Sequence, residues 1–183
     1  MSGAYFQIGG GVKKKLATDG SGVLFNHIRE NDYDWVALAE HQLKNTGSLP
    51  RLPGYFCIAK SATRNVGGVC FYLKNKLKYI VTKIRQKSAH NILWIKIPSE
   101  DENSLPLFIA LIYCRTDSHS DEVNEFFAEL AHSTLQFGAF GNVMVLGDFN
   151  SRLGKITGDK NPAGAWAVNK NALFLKHSSR PLN

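Results

Sequence analysis

The sequence predicts an α/β domain built in layers, with helices packed on sheets. Three observations carry this. Leu107 to Tyr113 is almost continuously apolar, the pattern of a central strand covered on both faces. A long helix follows, with Val123, Phe126, Phe127, Leu130 and Leu135 on one apolar stripe. A second buried strand, Asn142 to Leu146, comes next, so the order strand, helix, strand repeats the alternation expected of layered α/β architecture.

The remaining elements can be justified in chain order. Val23 to Asn31 places Leu24, Phe25 and Ile28 on one face at helical spacing, after the Gly20-Ser21-Gly22 turn. Trp35 to Ala39 is an apolar run with acids at its entrance, read as a buried strand. Tyr55 to Lys60 and Val69 to Leu73 are two more strands, with Gly67-Gly68 as punctuation between them. Tyr79 to Ile84 and Leu93 to Ile97 alternate as half-buried strands do. The long helix starts at Ser120, a capping residue, with Asp121 and Glu122 in the first turn, where the helix dipole favours acids. A last helix is expected from Asn169 to His177. The 183 residues show no repeat, no low-complexity tract and no linker, and fit one domain over 1–183.

Composition narrows the partners. Apolar residues are 44% and charged residues 20% of the chain, ordinary globular usage that excludes wholesale disorder. Lys and Arg number 22 against 15 acids, a net charge of +7. Such a domain meets polyanions, nucleic acid first, although a soluble protein with a charged surface has the same balance. Cys57 and Cys70 lie in strand-like runs, where a thiol behaves as a small hydrophobe. With Cys114 they make an odd number without zinc spacing, which favours a reducing, intracellular setting, the nucleus included. No apolar run approaches the roughly 20 residues that span a bilayer, and Met1 to Lys15 lacks the apolar core of a signal peptide, so no membrane partner is expected.

Three strand ends carry chemistry. Val145-Leu146-Gly147-Asp148-Phe149-Asn150 delivers a carboxylate and an amide, two residues apart, to the end of an apolar strand. Residues two apart on an extended backbone share a side. Such an Asp can ligate a hard cation or orient a water, and such an Asn can donate to a phosphate oxygen. An Asx-type turn closing a strand accounts for the same residues without chemistry. The buried strand from Trp35 ends in Glu40, which a solvated terminus also explains. The third ends in Tyr113-Cys114-Arg115, a phenol and a guanidinium suited to phosphate, or an aromatic core plug and a surface Arg. The conjunction favours chemistry, because ligands gather at one end of a layered sheet. For each His, surface or core placement is the simpler reading.

Taken together, Gly9-Gly10 with Lys13 to Leu16, DWVALAE at 34–40, Gly67 to Leu73, LWIKI at 93–97, LIYCR at 111–115 and GDFNSRLG at 147–154 resemble the endonuclease/exonuclease/phosphatase family. The flavour is that of endonuclease domains from non-LTR retrotransposons. The resemblance implies a four-layer α/β sandwich, two sheets face to face with helices outside. It implies Glu40 as principal Mg²⁺ (or Mn²⁺) ligand and Tyr113 beside the scissile phosphate. Asp148 would orient or activate the attacking water, and Asn150 would hold a phosphate oxygen. The family's first-strand Asn, near the metal, is matched by Gln7, longer by one methylene. Arg115 and Arg152 are candidate substrate-binding cations.

The resemblance also implies that the domain is incomplete at its carboxyl end. The family closes with an Asp and then an Asp-His pair on later strands, and neither occurs before Asn183. The expected function is metal-dependent phosphodiester hydrolysis, most consistent with a DNA endonuclease of retrotransposon type impaired by truncation. The rival readings are a nucleic-acid-binding remnant without catalysis and a degenerate fragment with no molecular role.

Overall fold

The computed structural model describes residues 1–62, 66–85, 88–99, 101, 103–115 and 120–150, together with the backbone of 172–175. The elements are β1 (Gly3–Gln7), α1 (Val12–Lys15), α2 (Val23–Asn31), β2 (Trp35–Ala39), β3 (Tyr55–Lys60), β4 (Val69–Lys74), β5 (Thr82–Ile84), β6 (Asn91–Ile97), β7 (Leu107–Tyr113), α3 (Ser120–Gly138), β8 (Asn142–Asp148) and β9 (Ala172–Leu175). Sheet one has the order β1-β2-β4-β3 and sheet two the order β5-β6-β7-β8-β9. Two neighbouring pairs are parallel, β1 with β2 and β7 with β8, and the others are antiparallel.

Strand alternation distributes the apolar residues over three cores. Ala37, Ala39, Phe71 and Leu73 of sheet one face Leu93, Ile95, Ile109, Leu111 and Leu146 of sheet two, forming the seam between the sheets. The opposite parity of sheet one, Val36, Leu38, Cys70 and Tyr72, packs on Val12, Leu16 and Ile28 of α1 and α2. The opposite parity of sheet two, Trp94, Phe108, Ala110, Val143 and Val145, packs on Phe126, Leu130 and Phe137 of α3. Helices, sheet, sheet and helix therefore form four layers.

Several elements differ from the sequence reading. Tyr79 to Val81 are not strand: hydrogen bonds from the Ile80 and Val81 amides to the Leu77 carbonyl (3.0 and 2.9 Å) wind a turn that leaves Tyr79 exposed, so only Thr82–Ile84 pairs with β6. β6 is not half-buried, because Leu93, Ile95 and Ile97 enter the seam while Ile92 and Trp94 meet the α3 side. Leu135 lies off the α3 stripe and is 76% exposed; Phe126, Leu130, Ser133 and Phe137, spaced by four, three and four, form the buried face. Cys57 is exposed, since β3 is an edge strand, whereas Cys70 is buried on the helix side of sheet one. The helix expected over 169–177 is replaced by β9, which pairs antiparallel with β8 from Val143↔Leu175 to Leu146↔Ala172. An open strand edge can recruit a short apolar run whatever its helical spacing. Arg152 and His177 lie outside the described residues. Among those described, no helix is long and apolar enough to cross a membrane.

Phe137 stacks on Phe108 (centroids 5.1 Å apart, planes at 5°) and meets Trp94 edge-on at 4.8 Å. Phe137→Ala should therefore lower the unfolding free energy in urea by about 3–5 kcal/mol. Leu135→Ala should change it by less than about 0.5 kcal/mol. Comparable losses would put Leu135 back in the core.

Candidate active site

The parity that builds the seam also carries polar groups to one end of it. On β1 the inward positions include Tyr5 and, two residues on, Gln7, at the end of the strand. On β7 they run Ile109, Leu111, Tyr113, and on β8 the residue two beyond Leu146 is Asp148. The parallel registers pair Gln7 with Ala39 and Tyr113 with Asp148, so each parallel pair finishes level. Glu40 follows Ala39 directly, in a left-handed backbone conformation (φ 64°).

Side-chain contacts link these ends across the seam. The Gln7 amide donates to Asp148 Oδ2. The Tyr113 hydroxyl lies 3.5 Å from Glu40 Oε1, to which Gln42 Nε2 also donates at 3.1 Å. The Asn150 backbone amide donates to Asp148 Oδ1 (3.0 Å), and its side-chain amide donates to the Cys114 carbonyl (2.6 Å). The Cys114 amide in turn donates to the Asp148 carbonyl (2.8 Å), extending the β7–β8 ladder past the strand ends. Gln7, Glu40, Tyr113, Asp148 and Asn150 thus meet in one cleft. Arg115 stands beyond Cys114, on the wall of an adjoining pocket of about 260 Å³ between the β6 and β7 ends and α3.

No family model matches the chain, and no curated protein matches it. Solved structures do. An AP endonuclease, LMAP from Leishmania major, superposes with a TM-score of 0.53 at 15% identity, covering 79% of this chain and 53% of that one. The 3'-5' exonuclease NExo from Neisseria meningitidis gives 0.56 at 16% identity, covering 82% and 58%. The endonuclease domain of TRAS1, a telomere-specific non-LTR retrotransposon, gives 0.56 at 15% identity, covering 81% and 59%. The chain has the endonuclease/exonuclease/phosphatase fold. It spans between half and three-fifths of the length of these structures. A NExo variant described as a 3' phosphatase is also seen bound to product DNA hairpin.

In this endonuclease/exonuclease/phosphatase-fold chain the cleft carries two carboxylates, Glu40 and Asp148. Burial raises the Asp148 carboxyl above its ordinary 3.8, opposed by the Asn150 amide and reinforced by the charge of Glu40. Tyr113 is pushed up to about 12, by burial first and then by Glu40 and Asp148. Among the described residues neither carboxylate forms a salt bridge. Asp34, at the other end of β2, shows the contrast: Lys76 at 2.7 Å holds it at about 2. Two carboxylates with no cation partner among the described residues, beside side-chain amides, form a hard-oxygen donor set. That suits Mg²⁺, which binds through one or two carboxylates and keeps several waters. No group of three or more His, Cys, Asp and Glu side chains occurs among the described residues, so a dense metal cage does not fit.

Sequence reasoning missed four participants. Tyr5, whose buried hydroxyl lacks a hydrogen-bond partner, is raised above its usual range by burial, then by Asp148 and Glu40. Its spacing of two from Gln7 was the available signal. Gln42 and His41 gave none, because their roles come from the connection after β2, and Asn91, the first residue of β6, gave none because its partner lies on the other sheet. His41 is a core histidine after all, 1% exposed, with its Nε2 bonded to the Lys60 carbonyl (3.0 Å); burial keeps its pKa below normal.

The Asp148 shift has a definite sign. Its folded pKa lies above the unfolded one, so its favourable contribution is present below pH 3.8 and is lost as pH rises through the raised value. Asp148→Asn should then be more stable than the parent at pH 7, with the gap closing towards pH 3.8. Urea unfolding across that range checks this; a gap that widened on acidification would reverse the assignment.

Proposed function

We propose that this chain carries the metal-binding face of a phosphodiester hydrolase acting on nucleic acid, with DNA the favoured substrate and an endonuclease of retrotransposon type the specific form. The observation that carries the reading is the convergence of Glu40 and Asp148, both without a compensating cation among the described residues, on Tyr113 at the end of the seam. A carboxylate such as Asp148, raised by burial and by the nearby Glu40 charge, is stabilised by a divalent cation.

Glu40, with Gln7 beside it, would hold Mg²⁺ or Mn²⁺. The bound ion would supply charge neutralisation at the phosphate and the leaving oxygen. Asp148, whose carboxyl is raised by burial, would orient a water and accept its proton. The Tyr113 phenol remains protonated at neutral pH and can donate to a phosphate oxygen as charge builds there. Asn150 offers an uncharged amide to the same group once it leaves the Cys114 carbonyl. Arg115, and Arg152 by its place in GDFNSRLG, would contact the substrate backbone.

The charge pattern supports a nucleic-acid partner. The Gly9–Gly11 turn approaches Glu40, a β-carbon on Gly9 lying 3.9 Å from Oε2. It leads straight into α1, whose Lys13 and Lys14 are exposed. The net charge of +7 has the same sense. Structural neighbours named as endonucleases and exonucleases, one of them bound to DNA, agree with this reading.

Three measurements test it. A Mn²⁺ titration followed by water-proton relaxation should show a site that Glu40→Ala removes, and Mg²⁺-dependent plasmid nicking, expected to be weak in this chain, should be lost in that variant. Affinity for a labelled duplex should drop by about 10³ to 10⁵ between 50 and 200 mM salt if roughly six to ten phosphates are contacted. Salt-dependent binding without metal uptake would leave a nucleic-acid-binding module. Neither binding nor metal uptake would remove the reading altogether.

A further inference from the structure

Glu40 is held from behind by groups that do not enter the cleft, and these groups form a chain across the seam. Glu40 and Gln42 both have left-handed backbone, at φ 64° and 59°. Residues with side chains adopt that region rarely, and keep it where their surroundings over-determine it. Here the surroundings are the Gly67-Gly68 turn. The His41 amide donates to the Gly68 carbonyl (3.1 Å) and the Gln42 amide to the Gly67 carbonyl (2.8 Å). The His41 ring, bonded through Nδ1 to the Leu43 amide (3.0 Å) and through Nε2 to Lys60, packs against the same turn.

The turn leaves no spare room. A β-carbon on Gly68 would stand 2.4 Å from the His41 ring, and one on Gly67 would stand 2.7 Å from the Asn91 amide and 2.8 Å from the Tyr113 ring. Both glycines have positive φ, 78° and 79°. From sheet two, Asn91 Oδ1 accepts the Gly68 amide at 3.2 Å in a buried hydrogen bond. Asn91 is 3% exposed, opens β6, and is the register partner of Tyr113. The next four residues, Ile92, Leu93, Trp94 and Ile95, are apolar. An apolar side chain at 91 would continue the strand but leave the Gly68 amide buried without a partner.

We propose that Asn91 is a positioning residue: it fixes the Gly67-Gly68 turn from the opposite sheet, and the turn fixes the left-handed Glu40–Gln42 segment that aims the Glu40 carboxylate into the cleft. Asn91 touches neither the cation nor the phosphate of the proposed reaction. Its functional consequence rests on the metal reading given above, whereas its control of the segment does not.

The experiment separates the two. Amide hydrogen exchange is followed at His41 and Gln42, with Ile95 as a reference for global opening, and Mn²⁺ affinity is measured in parallel. Asn91→Ala should speed exchange at His41 and Gln42 about fivefold or more beyond any change at Ile95. It should weaken Mn²⁺ binding by about 10- to 100-fold, the usual effect of losing a partner behind a metal ligand. Asn91→Asp, which keeps the acceptor, should retain both properties. Ile97→Val, at the far end of β6, should lower stability without moving either ratio. If Asn91→Ala does not fold, Asn91→Ser is read by the same criteria. Unchanged relative exchange at His41 and Gln42 overturns the proposal. So does faster exchange with Mn²⁺ affinity intact, which would make Asn91 purely structural. If the parent protein takes up no Mn²⁺, the metal reading fails, and the exchange data alone decide whether Asn91 holds the segment.

Discussion

Everything in the cleft depends on the packing of the two sheets face to face. Each sheet is buried on both sides, one against its partner and one against helices. Side-chain parity along every strand is therefore fixed by the burial of apolar surface on each face. Gln7, Tyr113 and Asp148 share the inward parity of Tyr5, Leu111 and Leu146, and differ only in standing at the strand ends, where the apolar filling stops. A slip of one residue between β7 and β8 would turn Asp148 towards α3 and bury an acid in the Phe126–Phe137 core. Gly147 helps to hold that register. Its φ of 140° and the absence of a side chain let the Ile112 carbonyl approach to within 2.1 Å of where a β-carbon would stand.

The same seam sets the electrostatics. Its apolar filling desolvates Asp148 and Tyr113, and the level strand ends bring Glu40 close enough to raise both further. At the opposite end of β2, Asp34 has lysine partners and a depressed pKa. Among the described residues, β2 is thus preceded by an acid with lysine partners and followed by one without. Together with the left-handed backbone at Glu40, this concentrates unfavourable local terms in the cleft, as functional sites do when the rest of a fold holds them in place.

The contacts that aim the cleft groups differ in origin from the groups themselves. Cleft side chains come from strand ends, while their supports, His41 and the Gly67-Gly68 turn, come from connections, and Asn91 from the first residue of β6. The Asn91 and His41 side chains act on backbone amides and carbonyls of Gly68, Leu43 and Lys60, groups that every residue possesses. Their side chains therefore leave little trace in a pattern of residue types.

Much was legible in the sequence alone. The boundaries of α2, β2, β3 and β7 follow directly from apolar runs and glycine punctuation, because local burial imposes period two or period 3.6 on the residues themselves. The acid, phenol and amide at the ends of three core strands were visible for the same reason. Tertiary structure decided the rest. It turned Ala172–Leu175 into a strand on the edge of β8, placed Phe137 rather than Leu135 in the core, and exposed Cys57 on an edge strand. Above all, it joined Gln7 to Asp148, 141 positions apart. Periodicity records which face of an element is buried. It does not record which other element covers that face, and at these positions the covering partner sets both the conformation and the chemistry.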